Sequence, residues 1–191
     1  GLNMGETAEV LARDFELSRE EQDAFALRSH ERAIAAQTVT QQEIAPIYTD
    51  ERAVLSDNGL RPDSSLEKLG KLQTLFDKKT GSVTAGNASQ ITDGAVALLV
   101  TSEAKASELG IEPLGYLKGY AVTGCDPKRM GIGPVQAIAA ANKKTGYQLN
   151  DADVIEINEA FAAQVLAVLK ALKDPNYAVK AGLEAPLGEI T

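Results

Sequence analysis

The chain has 191 residues, which is enough for one sizeable α/β domain or for two small units that share a core. Nineteen Lys and Arg residues against 27 Asp and Glu residues give a net charge of −8. No block of basic residues interrupts this acidic chain, so we expect no nucleic-acid partner. One cysteine and one histidine exclude an intrachain disulfide and a Cys/His zinc cluster within the chain, and we expect no metal.

The apolar runs, the cysteine content and the chain ends indicate where the protein is located and whether the chain is complete. No apolar run approaches the roughly eighteen residues that a membrane helix needs, so we expect no membrane span. The single cysteine fits a reducing compartment, and we expect a cytoplasmic protein. Gly1 to Met4 resemble neither a signal peptide nor a translation start, and no terminating element is predicted after Asp174. We therefore expect a piece of a longer protein.

Two helices are predicted at the start of the chain. Apolar residues at helical spacing predict the first over 5–15. Ser18 and Glu21 have the spacing of a capping box, in which each side chain binds the other residue's backbone N–H, and predict the start of the second. Its alanine-rich body covers 24–37. The apolar positions are Met4, Ala8, Leu11 and Phe15 in the first helix, and the stripe of Leu27, His30 and Ile34 in the second.

The pattern changes between residues 43 and 89. Isoleucines and valine around Pro46 predict short edge strands over 43–55, closed by an Asp-Asn-Gly turn at 57–59. A polar loop with two glycines covers 77–86. We expect residues 60–89 to be irregular and to face a cofactor, not to form a tight core.

Strands and helices alternate after residue 94. Strands are predicted over 95–100, 114–122 and 154–157, the first wholly apolar like a strand buried on both faces. The helices are predicted from Ser102 to Gly110, over 135–145 between Pro134 and Gly146, and over 159–172. This alternation predicts an α/β fold in which helices cover a layered sheet.

Glycine-rich stretches in the chain do not complete a nucleotide-binding motif. The stretch at 131–133 precedes a helix, but the third glycine of a dinucleotide fingerprint would fall at Gln136. Gly81 and Gly86 have the spacing of a phosphate loop, but Asn87 and Ala88 stand where Lys and Ser or Thr are required. A nucleoside triphosphate site of that kind is therefore not expected.

Two constellations could carry chemistry. Cys125 and His30 are a possible nucleophile and base, although a single cysteine and histidine more often pack, and His30 lies on a helical stripe. Asn158 and Glu159 follow a predicted strand where the next helix begins, and ligands bind at such carboxyl ends of α/β sheets. The alternative, favoured by spacing alone, is that Asn158 only caps the helix.

The sequence from Asn158 to Gln164, Asn-Glu-Ala-Phe-Ala-Ala-Gln, resembles the Asn-Glu-Ala-Phe motif of the thiolases, the acyl-CoA C-acyltransferases. Further segments resemble this family in the same order along the chain. They are residues 4–9, 18–26, 61–63, 84–89, and 124–127 with 130–134. The resemblance implies a thiolase-like layered α/β/α fold, present in part, with an α+β loop domain.

The resemblance also implies a reaction. Thiolases carry an acyl group on a cysteine and either cleave a 3-ketoacyl-CoA with free CoA or condense acetyl-CoA by a Claisen reaction. Of the family's catalytic groups only the motif asparagine matches, as Asn158, which would hold a water that helps bind the thioester oxygen. Cys125 and His30 match none of the family's catalytic cysteines or its histidine, so the nucleophile is expected outside this chain.

Binding residues are implied for CoA as a substrate, with no other cofactor. Arg61 would meet the nucleotide end, Ala85 and Ser89 would contact the pantetheine arm, and Asn3, Met4 and Phe76 would wall it. Met130, Ala160 and Phe161 would line the pocket at the reacting thioester.

The domain division implied by the resemblance is a CoA-binding loop domain over 1–89 and the start of the C-terminal half over 90–191. We expect the parent to be a homodimer or homotetramer. An alternative is that the chain alone is catalytically inactive and acts only as a CoA-binding or subunit-association module.

Overall fold

Helices make up most of the regular structure in residues 1–189, which the computed structural model describes. Residues 190 and 191, the last two of the predicted C-terminal part over 90–191, lie outside this range. None of the helices in it combines the length and apolar character needed to span a membrane. The elements in chain order are α1 (Met4–Asp14), α2 (Arg19–Ala35), α3 (Gln37–Thr40), β1 (Ile47–Tyr48), β2 (Ala53–Val54), α4 (Leu66–Gly70), α5 (Glu103–Glu108), a 3₁₀ helix (Pro127–Ile132), α6 (Gly133–Thr145), a second 3₁₀ helix (Leu149–Asp151), α7 (Ala162–Lys173) and α8 (Pro175–Ala181).

The predicted helix ends of the first half are confirmed. Ser18 accepts a hydrogen bond from the Glu21 N–H while the Glu21 carboxylate binds the Ser18 N–H at 2.7 Å, so the capping box starts α2. Asn3 forms an equivalent box with Glu6 at the start of α1.

Glycines end the helices of the second half as predicted. Ser102 caps α5, and Gly110 follows that helix with a φ of +66°. Gly146 ends α6 with a φ of +77° in the left-handed region, where a side chain would be strained. Pro134 lies in the first turn of α6, where its missing N–H costs no intrahelical bond.

Helix α7 is the centre of the core. Its side chains Val168 and Leu172 are fully buried, together with Leu11 of α1 and Val135 of α6. The carbonyl of Leu172 also accepts a hydrogen bond of 2.8 Å from the Leu187 N–H, which fixes the segment after α8 against α7. One apolar cluster therefore joins α1, α6, α7 and α8.

The three longer strands predicted for the second half do not form. Within residues 1–189 the only sheet is the two-stranded antiparallel hairpin of β1 and β2, which confirms the predicted edge strands. Residues 95–100, 114–122 and 154–157 have no strand assignment, and side chains such as Val100 and Leu117 are exposed. The physical reason is that a strand is stable only beside a neighbour that completes its hydrogen bonds, and no such neighbour lies among the described residues.

Three smaller expectations differ from the structure. The buried face of α2 consists of Gln22, Asp23 and Phe25, whereas the predicted stripe of Leu27, His30 and Ile34 is only half-buried. Helix α7 begins at Ala162, three residues later than predicted. The segment after Asp174 contains a helix that the sequence did not predict, because Asp174 caps α8 by accepting hydrogen bonds from two backbone N–H groups.

Candidate functional site

Two cavities meet at Asn158. The larger is an open groove of about 830 Å³ between α2, the α4 region and residues 85–92. The smaller is a cavity of about 260 Å³ between α1, the segment 130–134 and the start of α7. Asn158 is exposed and lines both of them. A ligand in the groove could therefore extend past this amide into the cavity.

A buried carboxylate holds one wall of the groove. Glu9 of α1 is 2% exposed and accepts hydrogen bonds from the backbone N–H groups of Ser82 and Val83 at 3.0 and 2.9 Å. The Ser82 hydroxyl adds a third contact to the same carboxylate. A buried charge is stable when several donors compensate it, and here those donors are the backbone of the loop that precedes Ala85.

The same loop is fixed by a second buried polar cluster. Asn87 is 3% exposed, and its side chain donates to Asp23 of α2 at 2.9 Å while accepting from the Thr84 N–H at 2.8 Å. Asp23 also binds the guanidinium of Arg19 at 2.8 Å. Helix α2 thus sets the shape of the turn that carries Ala85 into the groove.

Main-chain hydrogen bonds join this loop to the segment after Asn158. The Ser89 N–H donates to the Ala160 carbonyl at 2.8 Å, and the Ala162 N–H donates to the Asn87 carbonyl at 2.9 Å. Ala88 and Phe161 form an isolated antiparallel bridge between these bonds. The groove wall and the Asn158 segment are therefore one rigid unit.

Asn158 is not a helix cap. The N-cap of α7 is Phe161, with extended φ and ψ and no side-chain capping bond, so the capping interpretation of Asn158 is wrong. The adjacent Glu159 is tied to α2, because the Ser29 hydroxyl donates to its carboxylate. Asn158 lies in a segment without helix or strand assignment and lines both cavities.

The structure brings most of the predicted site residues to these two cavities. Arg61, Ala85 and Ser89 line the groove together with Asn158. Met4, Met130, Ala160 and Phe161 line the smaller cavity. Met4, predicted beside the pantetheine arm, lies instead at the smaller cavity with the residues predicted for the reacting end, and the role of each residue stays a prediction.

Asn3 and Phe76 line neither cavity. Asn3 is occupied as the N-cap of α1. The Phe76 ring stands edge-on to Phe161 with the ring centroids 6.2 Å apart, and it covers Gly5 so closely that a Cβ there would lie 2.1 Å from the ring. Phe76 therefore supports Phe161 from behind in this structure.

Both signs of charge line the groove. Arg61 and Lys68 supply the cationic groups, and Lys68 binds Asp63 at 2.7 Å. This hydrogen bond and the Lys68 charge hold the pKa of the Asp63 carboxyl below its usual value. Arg61 donates to the Asn58 carbonyl at 3.1 Å, which leaves the rest of its guanidinium for an anionic ligand.

Sequence reasoning missed Ser29, Lys68 and Gln164 as residues of the site. Ser29 and Lys68 line the groove from α2 and α4, and Gln164 lines the cavity from α7. Gln164 is the last residue of the motif that begins at Asn158, and position within that motif was the available signal. Ser29 and Lys68 had no such signal, because their helices reach the groove only through the tertiary fold.

Cys125 and His30 do not form a catalytic pair. His30 lines the groove, whereas Cys125 lines neither cavity and its thiol contacts the Met130 carbonyl at 3.7 Å. Cys125 is half-buried and lies in neither apolar core cluster of the described residues, so its packing role stays a prediction.

Comparison with known families identifies the class. Residues 1–104 match the family model described as "Thiolase, N-terminal domain", and residues 111–182 match the one described as "Thiolase, C-terminal domain". The chain belongs to the thiolase family.

Individual relatives agree with this assignment. The chain is 49% identical over 177 residues to the acetyl-CoA acetyltransferase of Chromobacterium violaceum, a match that covers 89% of the chain and 45% of the relative. It is 50% identical over 176 residues to the 3-ketoacyl-CoA thiolase of Photorhabdus laumondii, covering 88% and 45% respectively. The chain spans about half the length of the curated relatives it matches.

A solved structure confirms the fold class. The crystal structure of human mitochondrial 3-ketoacyl-CoA thiolase in complex with CoA superimposes with a TM-score of 0.85 at 45% identity, covering 98% of this chain and 48% of that chain. The predicted thiolase-like α/β fold, present in part, is therefore correct, even though its long strands are unpaired within the described residues.

Proposed function

We propose that the protein to which this chain belongs is an acyl-CoA C-acyltransferase that cleaves 3-ketoacyl-CoA thiolytically or runs the reverse Claisen condensation. The observation that carries the proposal is the position of Asn158, where a groove lined by Arg61, Ala85 and Ser89 meets a small, mostly apolar cavity. This arrangement suits a long polar carrier with a small acyl group at its end.

CoA is the substrate that the groove would take, and no further cofactor is invoked. Arg61 and Lys68 offer positive charge for its phosphates, while the backbone around Ala85 and Ser89 suits the uncharged pantetheine arm. The acyl end would then lie against Met130 and Phe161, whose side chains are apolar.

Asn158 would polarise the thioester by holding a water against its oxygen. In the acyl-transfer step, the CoA thiolate attacks the carbonyl of an acyl-cysteine, and the cysteine leaves as a thiolate after the tetrahedral intermediate collapses. The nucleophilic cysteine is a residue other than Cys125. Negative charge develops on the carbonyl oxygen, so a donor fixed beside it lowers the barrier more than it strengthens substrate binding.

Thiolysis by the full-length protein tests this proposal. Acetoacetyl-CoA and free CoA should be converted to acetyl-CoA, and Asn158→Ala should lower kcat by about 100-fold, the lower end for loss of one such donor. Asn176→Ala, which removes an exposed amide from α8, is the matched control and should leave kcat unchanged. Unchanged kcat in the Asn158 variant would contradict the role given to this residue.

CoA binding by the chain alone is a second candidate function. It is favoured because Arg61, Ala85, Ser89 and Asn158 come together in one groove of this chain. Calorimetric titration with CoA should give saturable heat that acetyl-CoA competes away. No heat at millimolar CoA would defeat independent binding by this chain.

The assembly and location of the parent are further proposals. Apolar side chains exposed along 95–100 and 114–122 support burial against other protein surfaces, and a homodimer or homotetramer would provide them. The proposed cytoplasmic location follows from cysteine usage. Light scattering of the full-length protein would measure the oligomeric state.

A further inference from the structure

Gln164 has a buried carbonyl oxygen without a hydrogen-bond partner. The residue lies in the first turn of α7 and is 8% exposed. Its Oε1 makes no hydrogen bond with any of residues 1–189, although the side chain lines the 260 Å³ cavity beside Asn158. A buried acceptor is costly unless a donor reaches it, so this atom marks a position at which a ligand donor is favoured.

The orientation of the Gln164 amide is fixed by its other end. Nε2 donates to the Gly131 carbonyl at 3.1 Å, and exchanging the two amide atoms would place one oxygen against another. Gly131 permits the close approach, because a Cβ there would lie 2.7 Å from Cγ of Gln164 and 2.8 Å from Cδ1 of Leu11. The amide nitrogen is thus occupied by the Gly131 carbonyl, and Oε1 is the amide atom that remains available to a ligand in the cavity.

The surroundings of this oxygen restrict what it can bind. Among the residues that the structure describes, no charged side chain lines the cavity, whose walls include Leu11, Ile157 and Phe161, so a neutral donor fits better than a cation. The Thr7 hydroxyl donates to the Met4 carbonyl at 2.7 Å and so adds another acceptor, not a donor, to the cavity. The Asn158 amide, the other polar side chain at this cavity, makes no hydrogen bond to Oε1, so the donor is expected from the occupant.

We propose that Gln164 Oε1 is an acceptor that binds a neutral O–H group in the acyl cavity. The O–H group belongs either to an ordered water or to a hydroxyl on the acyl chain of the thioester. This inference rests on the proposed function, because it takes the cavity to hold the acyl end while the groove holds the CoA arm with its N–H groups.

The test compares full-length wild-type protein with Gln164→Met, which keeps the length of the side chain but has no carbonyl acceptor. Thiolysis is measured with 3-ketohexanoyl-CoA and with its 6-hydroxy derivative. Crystal structures of both proteins without substrate are the second measurement. Gln37→Met, a change on exposed α3, is the matched control and should not alter either one.

Two results support the proposal and distinguish the sources of the O–H group. If the acyl hydroxyl is bound, Gln164→Met lowers kcat/KM for the hydroxylated substrate by about tenfold relative to the plain one, the equivalent of one hydrogen bond. If water is bound, kcat/KM falls equally for both substrates, and the wild-type crystal shows a water within hydrogen-bond distance of Oε1 that the variant lacks. No such water together with a substrate ratio changed less than twofold overturns the proposal.

Gln164→Glu covers the case in which the methionine variant does not fold. A protonated glutamic acid can donate to the Gly131 carbonyl and still offer a carbonyl oxygen, whereas the ionised form cannot donate. At low pH, where the protonated acid keeps the bond to Gly131, the variant should therefore keep the wild-type substrate ratio or the water. A folded Gln164→Glu protein that loses both at low pH, although it still has an acceptor oxygen, overturns the proposal.

Failure of the proposed function would look different. The crystal measurement needs no turnover, so a water on Oε1 in a full-length protein without thiolase activity would support the acceptor and refute the activity. Thiolase activity with an Oε1 that binds neither O–H group would support the activity and overturn the acceptor proposal.

Discussion

Removing the Glu9 carboxylate should open the loop that carries Ala85. Glu9→Ala leaves the N–H groups of Ser82 and Val83 without their acceptor, and Val83 is fully buried. Each unsatisfied buried N–H costs about 1–3 kcal/mol, so the local loss is about 2–6 kcal/mol. The gain in helix propensity from alanine in α1 is well under 1 kcal/mol and cannot offset it.

Amide hydrogen exchange followed by mass spectrometry measures this loss directly in the full-length protein. A local loss of 2 kcal/mol accelerates exchange in the peptide spanning 82–89 by about 30-fold, because 1.4 kcal/mol corresponds to a factor of ten. Glu31→Ala, at an exposed position of α2, is the control and should leave this peptide unchanged. Exchange that stays within threefold of wild type in the Glu9 variant would refute the assignment of the carboxylate as the anchor of the loop.

Three further changes have defined outcomes. Leu172→Ala removes a fully buried side chain from α7 and should destabilise the protein by about 2–5 kcal/mol, seen as a lower Tm, whereas Lys173→Ala on the exposed side should not. Hydrogen bonds from a hydroxyl and two backbone N–H groups lower the pKa of Asp77 to about 2. The stability that this carboxylate contributes is therefore complete above the ordinary pKa of 3.8 and is lost as pH falls through 2. Asp77→Asn should flatten the acid unfolding profile over this pH range. Arg61→Ala should raise KM for CoA about tenfold with kcat unchanged, and an equal rise in Arg52→Ala would exclude a specific contact at Arg61.

Local signals predicted the ends of helices well. The box of Ser18 and Glu21 and the glycine at 146 act through bonds to neighbouring backbone groups, so a few consecutive residues contain the whole interaction. The start of α7 was missed because Phe161 caps it without a side-chain bond. A bridge to Ala88, distant in sequence, holds Phe161 extended, and no local pattern reports it.

The long strands and parts of the site were beyond the reach of local reasoning. The apolar run at 95–100 has the composition of a buried strand, but its partners are not among the described residues. Asn158 and Arg61 were found through the family resemblance, since spacing alone favoured a cap for the first and gave no role to the second. Lys68 and Ser29 enter the groove only because α4 and α2 pack beside each other.

The junction between residues 87–89 and 160–162 has a consequence for sequence variation. It consists of main-chain hydrogen bonds, which any residue other than proline can make at the donor positions Ser89 and Ala162. Asn87 and Ala162 are buried and constrained, but the side chains at Ser89, Ala160 and Phe161 can be exchanged without loss of these bonds. Under the proposed function, the acyl preference of the cavity can therefore drift through Ala160 or Phe161 while the distance between the groove and Asn158 stays constant. If the proposed function is correct, the range of substrates and the geometry of the reacting end can change independently of each other in this part of the molecule.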